Sequence, residues 1–205
     1  MQIKTECNLS EIVVEILNGK TIVFPTETSY GLGCDATNQK SVDRIFKIKG
    51  RKSDKPLLVV VPTVEMAKEY LKWDDALDKM AKKYWPGALT VVGEYNSPLG
   101  RGRGGLANGV VAKDGTVAVR VTSHPLLKSI TEKIGRPLVA TSANISDAGE
   151  IYSAEEIYKT FENRAGQPDL ILNYGVLPKC PPTTIIKVTH DNIEVLRQGE
   201  LIVKI

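Results

Sequence analysis

Cysteine and histidine are scarce in this chain, and the few present lack the spacing that metal or redox chemistry requires. The three cysteines, Cys7, Cys34 and Cys180, form no Cys-x-x-Cys pair, so neither a zinc site nor a disulfide framework is indicated. The two histidines, His124 and His190, belong to no Ser-His-Asp pattern, and we expect structural roles for both. Unpaired cysteines fit a reducing compartment, so we expect a cytoplasmic protein.

Long apolar runs and a strong charge of either sign are also missing. No run of about 18 apolar residues occurs, and the N-terminus lacks a signal-peptide hydrophobic region, so we expect no membrane association. The net charge of +3 is too small to indicate nucleic-acid binding by itself, although it allows a local basic cleft. With 205 residues, 42% of them apolar, the chain can bury one sizeable core, and we predict a single domain over residues 1–205.

Helical and strand periodicities alternate along the chain. Asn8 followed by Glu11 is typical of a capping box, and Pro125 opens a later helix. The apolar run from Leu57 to Val61 predicts a strand buried on both faces, in the middle of a sheet. Because the segment from Thr183 to Ile205 is β-rich, a purely parallel sheet is disfavoured. We predict an α/β fold in which flanking helices cover a strongly twisted mixed sheet.

A cluster of cations follows the glycine-containing segment Pro25 to Gly33. Lys49, Arg51 and Lys55 lie just after a predicted helix, where they concentrate hydrogen-bond donors for a polyphosphate. Each charge-assisted hydrogen bond contributes roughly 1.5–3 kcal/mol. The alternative is a solvated charge run at a helix end.

Neutral hydrogen-bonding groups occupy a second segment far along the chain. Ser142 and Asn144 directly follow a predicted apolar strand, and ligands of open α/β sheets commonly bind at such strand ends. The alternative is a turn or helix cap that satisfies only the backbone. Together the two segments predict a nucleotide site that lacks a Walker loop.

An irregular stretch from Asn96 to Gly115 is rich in glycine and arginine. A mobile surface loop is one interpretation. The other is that residues 100–105 form a lid or an RNA-contacting arm, because arginine grips phosphate with two hydrogen bonds. Within this stretch, Asn108 and Gly109 predict a tight turn.

Five motifs occur in a fixed order along most of the chain. They are Pro25-Thr-Glu-Thr-Ser-Tyr-Gly-Leu-Gly33, Lys49-Gly-Arg51 with Lys55-Pro-Leu57, Trp85-Pro-Gly-Ala-Leu-Thr90, Val117-Ala-Val-Arg-Val121 and Ser142-Ala-Asn144. In this order and spacing they resemble the YrdC/Sua5 family of threonylcarbamoyl-AMP synthases. The resemblance extends from Thr21 to about Gly199 and implies the YrdC-like fold. Longer members add a C-terminal domain and this chain stops before one, so we expect the short form.

The resemblance implies a specific reaction. L-Threonine, bicarbonate and ATP would give L-threonylcarbamoyl-adenylate and pyrophosphate, the first step of N6-threonylcarbamoyladenosine formation in tRNA. Such a transfer at the α-phosphorus needs positioning and charge neutralisation more than a protein nucleophile. Mg²⁺ is implied with the triphosphate and would be held mainly by phosphate oxygens and water. The expected partner is the downstream tRNA threonylcarbamoyl-transferase, and direct contact with tRNA or double-stranded RNA is left open.

The resemblance also implies the site residues. The ATP contacts would be Lys49, Arg51, Lys55, Thr116, Ser142, Asn144 and Arg197, and Lys49 and Arg51 would also act in catalysis. The threonine contacts would be Thr28, Arg120, Thr183 and the Ala140 backbone, with Tyr30 either walling the substrate methyl or packing in the core. An arginine directed into a cleft suits an α-carboxylate, whereas a solvent-facing strand position is the alternative for Arg120. Two departures from the family are Lys52, where proline is common, and Val60, where histidine is common.

Two alternatives of other classes accompany this interpretation. A double-stranded RNA or tRNA-binding module would use the same basic concavity and would lose affinity steeply with salt. A carbamoyl-phosphate-type hydrolase or transferase domain would use the same fold. Pyrophosphate release that requires ATP, bicarbonate and threonine together distinguishes the synthase from both.

Overall fold

The computed structural model describes residues 1–52, 54–98, 104–190 and 192–204. Residues 99–103 lie outside these ranges. They include most of the segment 100–105 that was predicted to be a lid or arm. The strands of the described chain are β1 (Gln2–Lys4), β2 (Ile22–Pro25), β3 (Tyr30–Gly33), β4 (Val59–Val61), β5 (Leu89–Glu94), β6 (Thr116–Val121), β7 (Leu138–Val139), β8 (Thr141–Ser142), β9 (Leu170–Leu172), β10 (Thr184–Thr189) and β11 (Asn192–Arg197). The helices are α1 (Leu9–Leu17), α2 (Gln39–Lys49), α3 (Val64–Tyr70), α4 (Asp75–Tyr84), α5 (Pro125–Ile134) and α6 (Ala154–Phe161).

Local signals in the sequence set the ends of the helices. The side chain of Asn8 accepts a hydrogen bond from the Glu11 amide at 2.9 Å, which caps α1 as predicted. Pro125 occupies the first turn of α5. Helix α2 ends at Gly50 in the left-handed conformation (φ 60°), a conformation that glycine adopts without the steric cost of a Cβ. Because α2 ends there, Lys49 is the last helical residue and Arg51 starts the following loop.

The strands form two hydrogen-bonded sheets, each with parallel and antiparallel neighbours. The first has the order β1-β9-β2-β3-β8, and the second has the order β11-β10-β5-β6-β4-β7. Strand β4 lies inside the second sheet between β6 and β7 and is buried throughout, so the prediction of a mid-sheet strand is confirmed. The predicted mixed α/β architecture with flanking helices is likewise confirmed. Its strands divide between two sheets.

The glycine-containing segment from Pro25 to Gly33 contains a strand. Residues 25–33 close a hairpin in which β2 pairs antiparallel with β3, with Pro25 opposite Tyr30 and Ile22 opposite Gly33. The turn of this hairpin holds Thr26 to Ser29. A Cβ on Gly33 would lie 2.0 Å from the Val139 carbonyl oxygen, so only glycine allows the two backbones to approach this closely.

The core fills both sides of the sheets with aliphatic side chains, and a turn predicted from the sequence packs onto it. The amide of Val110 donates to the Ala107 carbonyl at 3.1 Å, and Gly109 between them has φ 88°, which confirms the tight turn. None of the helices in the described ranges has the length and apolar character needed to cross a bilayer. The assignment of residues 1–205 to one domain stays a prediction.

Candidate active site

A cavity of about 370 Å³ opens between the two sheets. The first sheet contributes Tyr30, Gly31 and Ser142 to its wall, while the second contributes side chains from β5, β6, β10 and β11. A volume of this size is in the range of small-molecule sites. Eight of the twelve predicted site residues line it: Thr28, Tyr30, Arg51, Arg120, Ala140, Ser142, Thr183 and Arg197.

The cavity wall is basic. It carries three arginines, Arg51, Arg120 and Arg197, and one carboxylate, Glu150, among its lining residues. Such a balance favours an anionic ligand, and guanidinium groups suit phosphate and carboxylate oxygens because their donors form a planar fork. Glu150 is held at the wall by a hydrogen bond that the Ser29 hydroxyl donates.

Lys49 joins the two predicted motifs directly. Its side chain is fully buried, and its Nζ donates to the carbonyl of Asn144 at 2.9 Å, to Oδ1 of Asn144 at 2.9 Å and to the carbonyl of Ser142. All three donors of the ammonium group are therefore used by the Ser142–Asn144 turn. The cation does not line the cavity itself. It lies behind Ser142 and fixes the turn that does.

Burial changes the protonation of Lys49. Loss of hydration and, to a smaller extent, the nearby positive charge of Arg51 lower the pKa of its ammonium to about 7, against the opposing effect of the acidic side chains of Glu150 and Asp147. Near neutral pH the group is therefore poised between its charged and neutral forms. A polyanion arriving in the cavity would favour the charged form.

Asn144 organises the loop that follows β8. Its Oδ1 accepts from the Ser142 hydroxyl at 2.7 Å, and its Nδ2 donates to the carbonyls of Ala148 and Gly149. Like Lys49, it is buried and does not line the cavity. The turn role that the sequence left open for Asn144 is thus the one seen in its contacts, and it determines where Ser142 stands.

Arg51 and Lys55 differ in their placement. The guanidinium of Arg51 lines the cavity and donates to the carbonyls of Lys55 at 2.9 Å and Pro56 at 3.0 Å, so its own loop orients it. Lys55 lies outside the cavity wall, with its side chain 48% exposed and paired with Asp147 at 3.1 Å. A phosphate contact by Lys55 would require this surface ion pair to open.

Arg120 projects from β6 into the cavity wall, so the solvent-facing alternative for this residue is wrong. Its side chain is 5% exposed, and its Nη2 lies 3.3 Å from Oε2 of Glu27. Glu27 is itself mostly buried. Burial alone would raise the pKa of its carboxyl, but the charge of Arg120 and hydrogen bonds from Thr122 and Ser123 hold that pKa below its ordinary value.

Two further predicted residues, Arg197 and Thr183, are in contact in the cavity wall, and Tyr30 belongs to a separate set of contacts. The guanidinium of Arg197 donates to the Thr183 carbonyl at 2.8 Å, and the Thr183 hydroxyl lies 3.1 Å from that of Thr90. Tyr30 is fully buried, with its hydroxyl donating to the Gly175 carbonyl at 2.9 Å. Tyr30 therefore lines the cavity and packs in the core at the same time.

Thr116 is not brought to this cavity. It begins β6 opposite Glu94, its hydroxyl donates to Asp114 at 2.6 Å, and it lines a separate depression with Trp73 and His190. Because side chains alternate along a strand, Thr116 is on the same face of β6 as Ala118 and Arg120, two residues beyond the cavity wall. Its contact with ATP stays a prediction. Val60 is fully buried in the core and does not line the cavity.

Sequence reasoning missed Ser29, Glu27 and Glu150 as members of this region. Ser29 and Glu27 are inside the Pro25–Gly33 motif, and that position was the available signal. Glu150 lies in an irregular segment with no pattern that marks it. No group of three or more His, Cys, Asp or Glu side chains placed to hold a metal ion occurs in the described parts of the chain.

Comparisons with known proteins show the family to which this chain is similar. The family model Sua5_yciO_yrdC, described as "Telomere recombination", matches residues 15–199. A threonylcarbamoyl-AMP synthase of Pyrococcus abyssi is 35% identical over 191 residues, covering 91% of this chain and 52% of the relative. A threonylcarbamoyl-AMP synthase of Pseudoalteromonas translucida is 33% identical over 168 residues, covering 78% of this chain and 84% of the relative. This chain thus spans about half the length of the Pyrococcus abyssi relative.

The fold is similar to a solved structure as well. The crystal structure of Pyrococcus abyssi Sua5 complexed with L-threonine superposes with a TM-score of 0.84 at 30% identity, covering 98% of this chain and 58% of the other. The match in sequence and fold covers nearly every element described above. The chain belongs to the Sua5/YciO/YrdC family.

Proposed function

We propose that this chain synthesises L-threonylcarbamoyl-adenylate from ATP, bicarbonate and L-threonine, with release of pyrophosphate. The observation that carries the proposal is the contact of Lys49 with the Ser142–Asn144 turn. Lys49 is 93 residues from Ser142 and 95 residues from Asn144 in the sequence. Their contact brings the two motifs together beside one basic cavity. Relatives that are 33% and 35% identical bear the name of this activity, which supports the proposal.

The triphosphate is assigned to the end of the cavity where Arg51 and Ser142 stand. Arg51 supplies the permanent charge, and Ser142 supplies a hydroxyl whose position the buried Lys49 and Asn144 fix. Lys49 must release at least one of its three acceptors before it contacts a phosphate oxygen directly. Arg197, oriented by its hydrogen bonds to Thr183, provides a further donor on the opposite wall.

The amino acid is assigned to the end where Arg120 and Thr28 stand. Arg120 would take the α-carboxylate, and the hydroxyls of Thr28 and Thr183 would contact its polar groups. The amine reacts with bicarbonate or CO₂ to form a carbamate. A carbamate oxygen then attacks the α-phosphorus in line while the bond to pyrophosphate breaks. Positioning and charge neutralisation carry most of such a reaction.

Magnesium enters with ATP as part of the substrate, coordinated mainly by phosphate oxygens and water. We assign no carboxylate to the metal. The product is a reactive mixed anhydride, so we assign its consumption to the tRNA threonylcarbamoyl-transferase step.

Three expectations stay predictions: that residues 100–105 cover the cavity, that the chain contacts RNA directly, and that it is located in the cytoplasm.

The test is a three-substrate assay on the purified chain. Pyrophosphate should appear only when ATP, bicarbonate and L-threonine are all present, and Arg51→Ala should lower its rate at least tenfold, since the triphosphate loses a charge-assisted contact. Lys52→Ala is the matched control, because Lys52 is an exposed cation one residue away that does not line the cavity. RNA binding without pyrophosphate release would contradict the proposal.

A further inference from the structure

Glu27 occupies the turn between β2 and β3, and the loop that follows β6 donates hydrogen bonds to its carboxylate. Its Oε1 accepts hydrogen bonds from the hydroxyl of Thr122 at 2.6 Å, the amide of Ser123 at 2.9 Å and the amide of His124 at 3.2 Å. Only 14% of its side chain is exposed. With the hydroxyl of Ser123 at 3.4 Å, four donors hold this oxygen, so the second carboxylate oxygen has a fixed direction.

That second oxygen faces Arg120. The separation from Oε2 of Glu27 to Nη2 of Arg120 is 3.3 Å, and Oε2 accepts no hydrogen bond from any described residue. In the described ranges, Nε of Arg120 is buried and has no hydrogen-bond partner either. The guanidinium of Arg120, a residue that lines the cavity, is therefore balanced in charge by Glu27, while its Nε remains covered and unpaired among the described residues.

A buried arginine that is paired on one side and lines a cavity on the other points to an anionic ligand. Arginine in a protein interior is retained when its charge is compensated and its donors are used, because an isolated buried charge is costly. Glu27 compensates the charge from one edge of the guanidinium. A carboxylate arriving from the cavity would contact the side of the guanidinium that Glu27 leaves open.

We propose that Glu27 is a positioning residue for the amino-acid substrate: anchored by Thr122, Ser123 and His124, it fixes the guanidinium of Arg120 so that this group receives the substrate carboxylate. The inference rests on the proposed function, since it deepens the assignment of Arg120. Glu27 itself does not line the cavity, so it acts through Arg120. Glu27 is also next to Thr28 in the hairpin turn. The hydrogen bonds that hold Glu27 therefore position both Arg120 and Thr28, two of the residues assigned to the amino acid.

The experiment is a double-mutant cycle on L-threonine affinity, measured by calorimetry with the whole chain. Glu27→Gln should weaken threonine binding about tenfold or more, because a buried charge pair loses one partner. Arg120→Lys should weaken it too, and adding Glu27→Gln to Arg120→Lys should cost little more. Glu27→Asp keeps the charge and should recover part of the affinity. The dissociation constant of an unreactive ATP analogue should change less than about twofold in every variant.

Two controls separate positioning from general damage to the fold. Glu132→Gln removes an exposed carboxylate on α5, with a side chain 47% exposed, and should leave threonine affinity unchanged. Thermal unfolding of each variant detects a loss of folding. If Glu27→Gln unfolds the chain, Glu27→Asp replaces it in the double-mutant cycle with Arg120→Lys, because this variant retains the charge.

The outcomes for the inference and for the proposed function are distinct. Equal threonine affinities in wild type and folded Glu27 variants, or additive effects in the cycle, overturn the role of Glu27 even when pyrophosphate release is normal. Coupled effects on threonine affinity in a chain that releases no pyrophosphate would reject the proposed function and keep the role of Glu27. A wild-type chain that binds no threonine, with or without the ATP analogue, overturns the inference.

Discussion

Among single residues, Lys49 combines full burial with three contacts to the Ser142–Asn144 turn. Three backbone and side-chain oxygens of the Ser142–Asn144 turn surround its ammonium group. Burial costs the charged form its hydration, and the nearby guanidinium of Arg51 adds to that cost. Lys49 thus stabilises the site geometry while its charge state stays sensitive to what the cavity holds.

We expect ATP binding to be coupled to proton uptake at Lys49. In the free protein its pKa is about 7, and a bound triphosphate would raise that pKa. The complex then holds more protons than the free protein above neutral pH, so ATP affinity should fall as pH rises from about 7.5 to 9. Calorimetry in two buffers of different ionisation enthalpy measures the protons taken up.

Lys49→Met provides the comparison for this coupling. The variant should bind ATP more weakly, with an affinity that is flat over the same pH range, because the titrating group is gone. Over this range the phosphate groups of ATP are already ionised, so they contribute little proton uptake. Equal proton uptake in wild type and Lys49→Met would place the titrating group elsewhere.

We expect Asn144→Ala to destabilise the fold. The substitution removes an acceptor from Lys49 and from Ser142, and it leaves the carbonyls of Ala148 and Gly149 without their donor. An unpaired buried polar group costs about 1–3 kcal/mol, and the buried Lys49 ammonium loses one acceptor here, so the free energy of unfolding in denaturant should fall by at least about 1 kcal/mol. Asn163→Ala, at an exposed position, should change it by less than about 0.5 kcal/mol. Equal effects of the two variants would contradict the role given to Asn144.

At the scale of elements, the hairpin of β2 and β3 positions one side of the cavity. Strand β3 pairs with β8 through Gly31 and Ser142, and the Ala143 amide donates to the Tyr30 carbonyl at 2.8 Å. The hairpin turn carries Thr28 and Glu27 to the same region. This close packing of backbones depends on glycines in β3.

We expect Gly33→Ala to disrupt this arrangement. The added methyl group would lie 2.0 Å from the Val139 carbonyl oxygen and 2.8 Å from the Phe24 ring, so backbone must move. The free energy of unfolding should fall by more than about 2 kcal/mol. Gly149→Ala is the matched control, since no atom lies within 4 Å of a Cβ there. Similar stabilities for the two variants would show that β3 has more room than the structure indicates.

At the scale of the whole molecule, the cavity is a junction of two sheets. One sheet contributes Tyr30 and Ser142 to the cavity wall. The other sheet contributes Arg120 from β6 and Arg197 from β11. A ligand that contacts both walls adds interactions that exist only when the sheets are folded and packed. Binding and global stability are linked for that reason.

We therefore expect ATP with magnesium to raise the unfolding temperature. At a concentration 100 times the dissociation constant the free energy of unfolding should rise by about 2.7 kcal/mol. Differential scanning fluorimetry measures the shift. Adenosine at the same concentration is the control and should give a smaller shift, because it lacks the phosphates that Arg51 would contact. An equal shift of the unfolding temperature for adenosine and ATP would contradict the assignment of the triphosphate to the basic end of the cavity.

Much of this architecture follows from signals within short windows of sequence. The caps Asn8 and Pro125, the turn at Asn108 and Gly109, and the buried run that became β4 are local, since each depends on interactions between residues close in the chain. Strands β1, β3 and β9 were not predicted. They have three or four residues each, too few for a clear alternation, and β1 and β9 pair with each other from opposite ends of the chain.

The sequence by itself determined the family and the cations, hydroxyls and amide from which the site is built, because the order of motifs is a property of the chain. Only the tertiary structure decided which side chains face the cavity. It set Lys49 and Asn144 behind Ser142, left Lys55 at the surface and Thr116 beyond the wall, and placed Glu27 beside Arg120. Those outcomes depend on sheet pairing and burial across more than 90 residues, which no local pattern records.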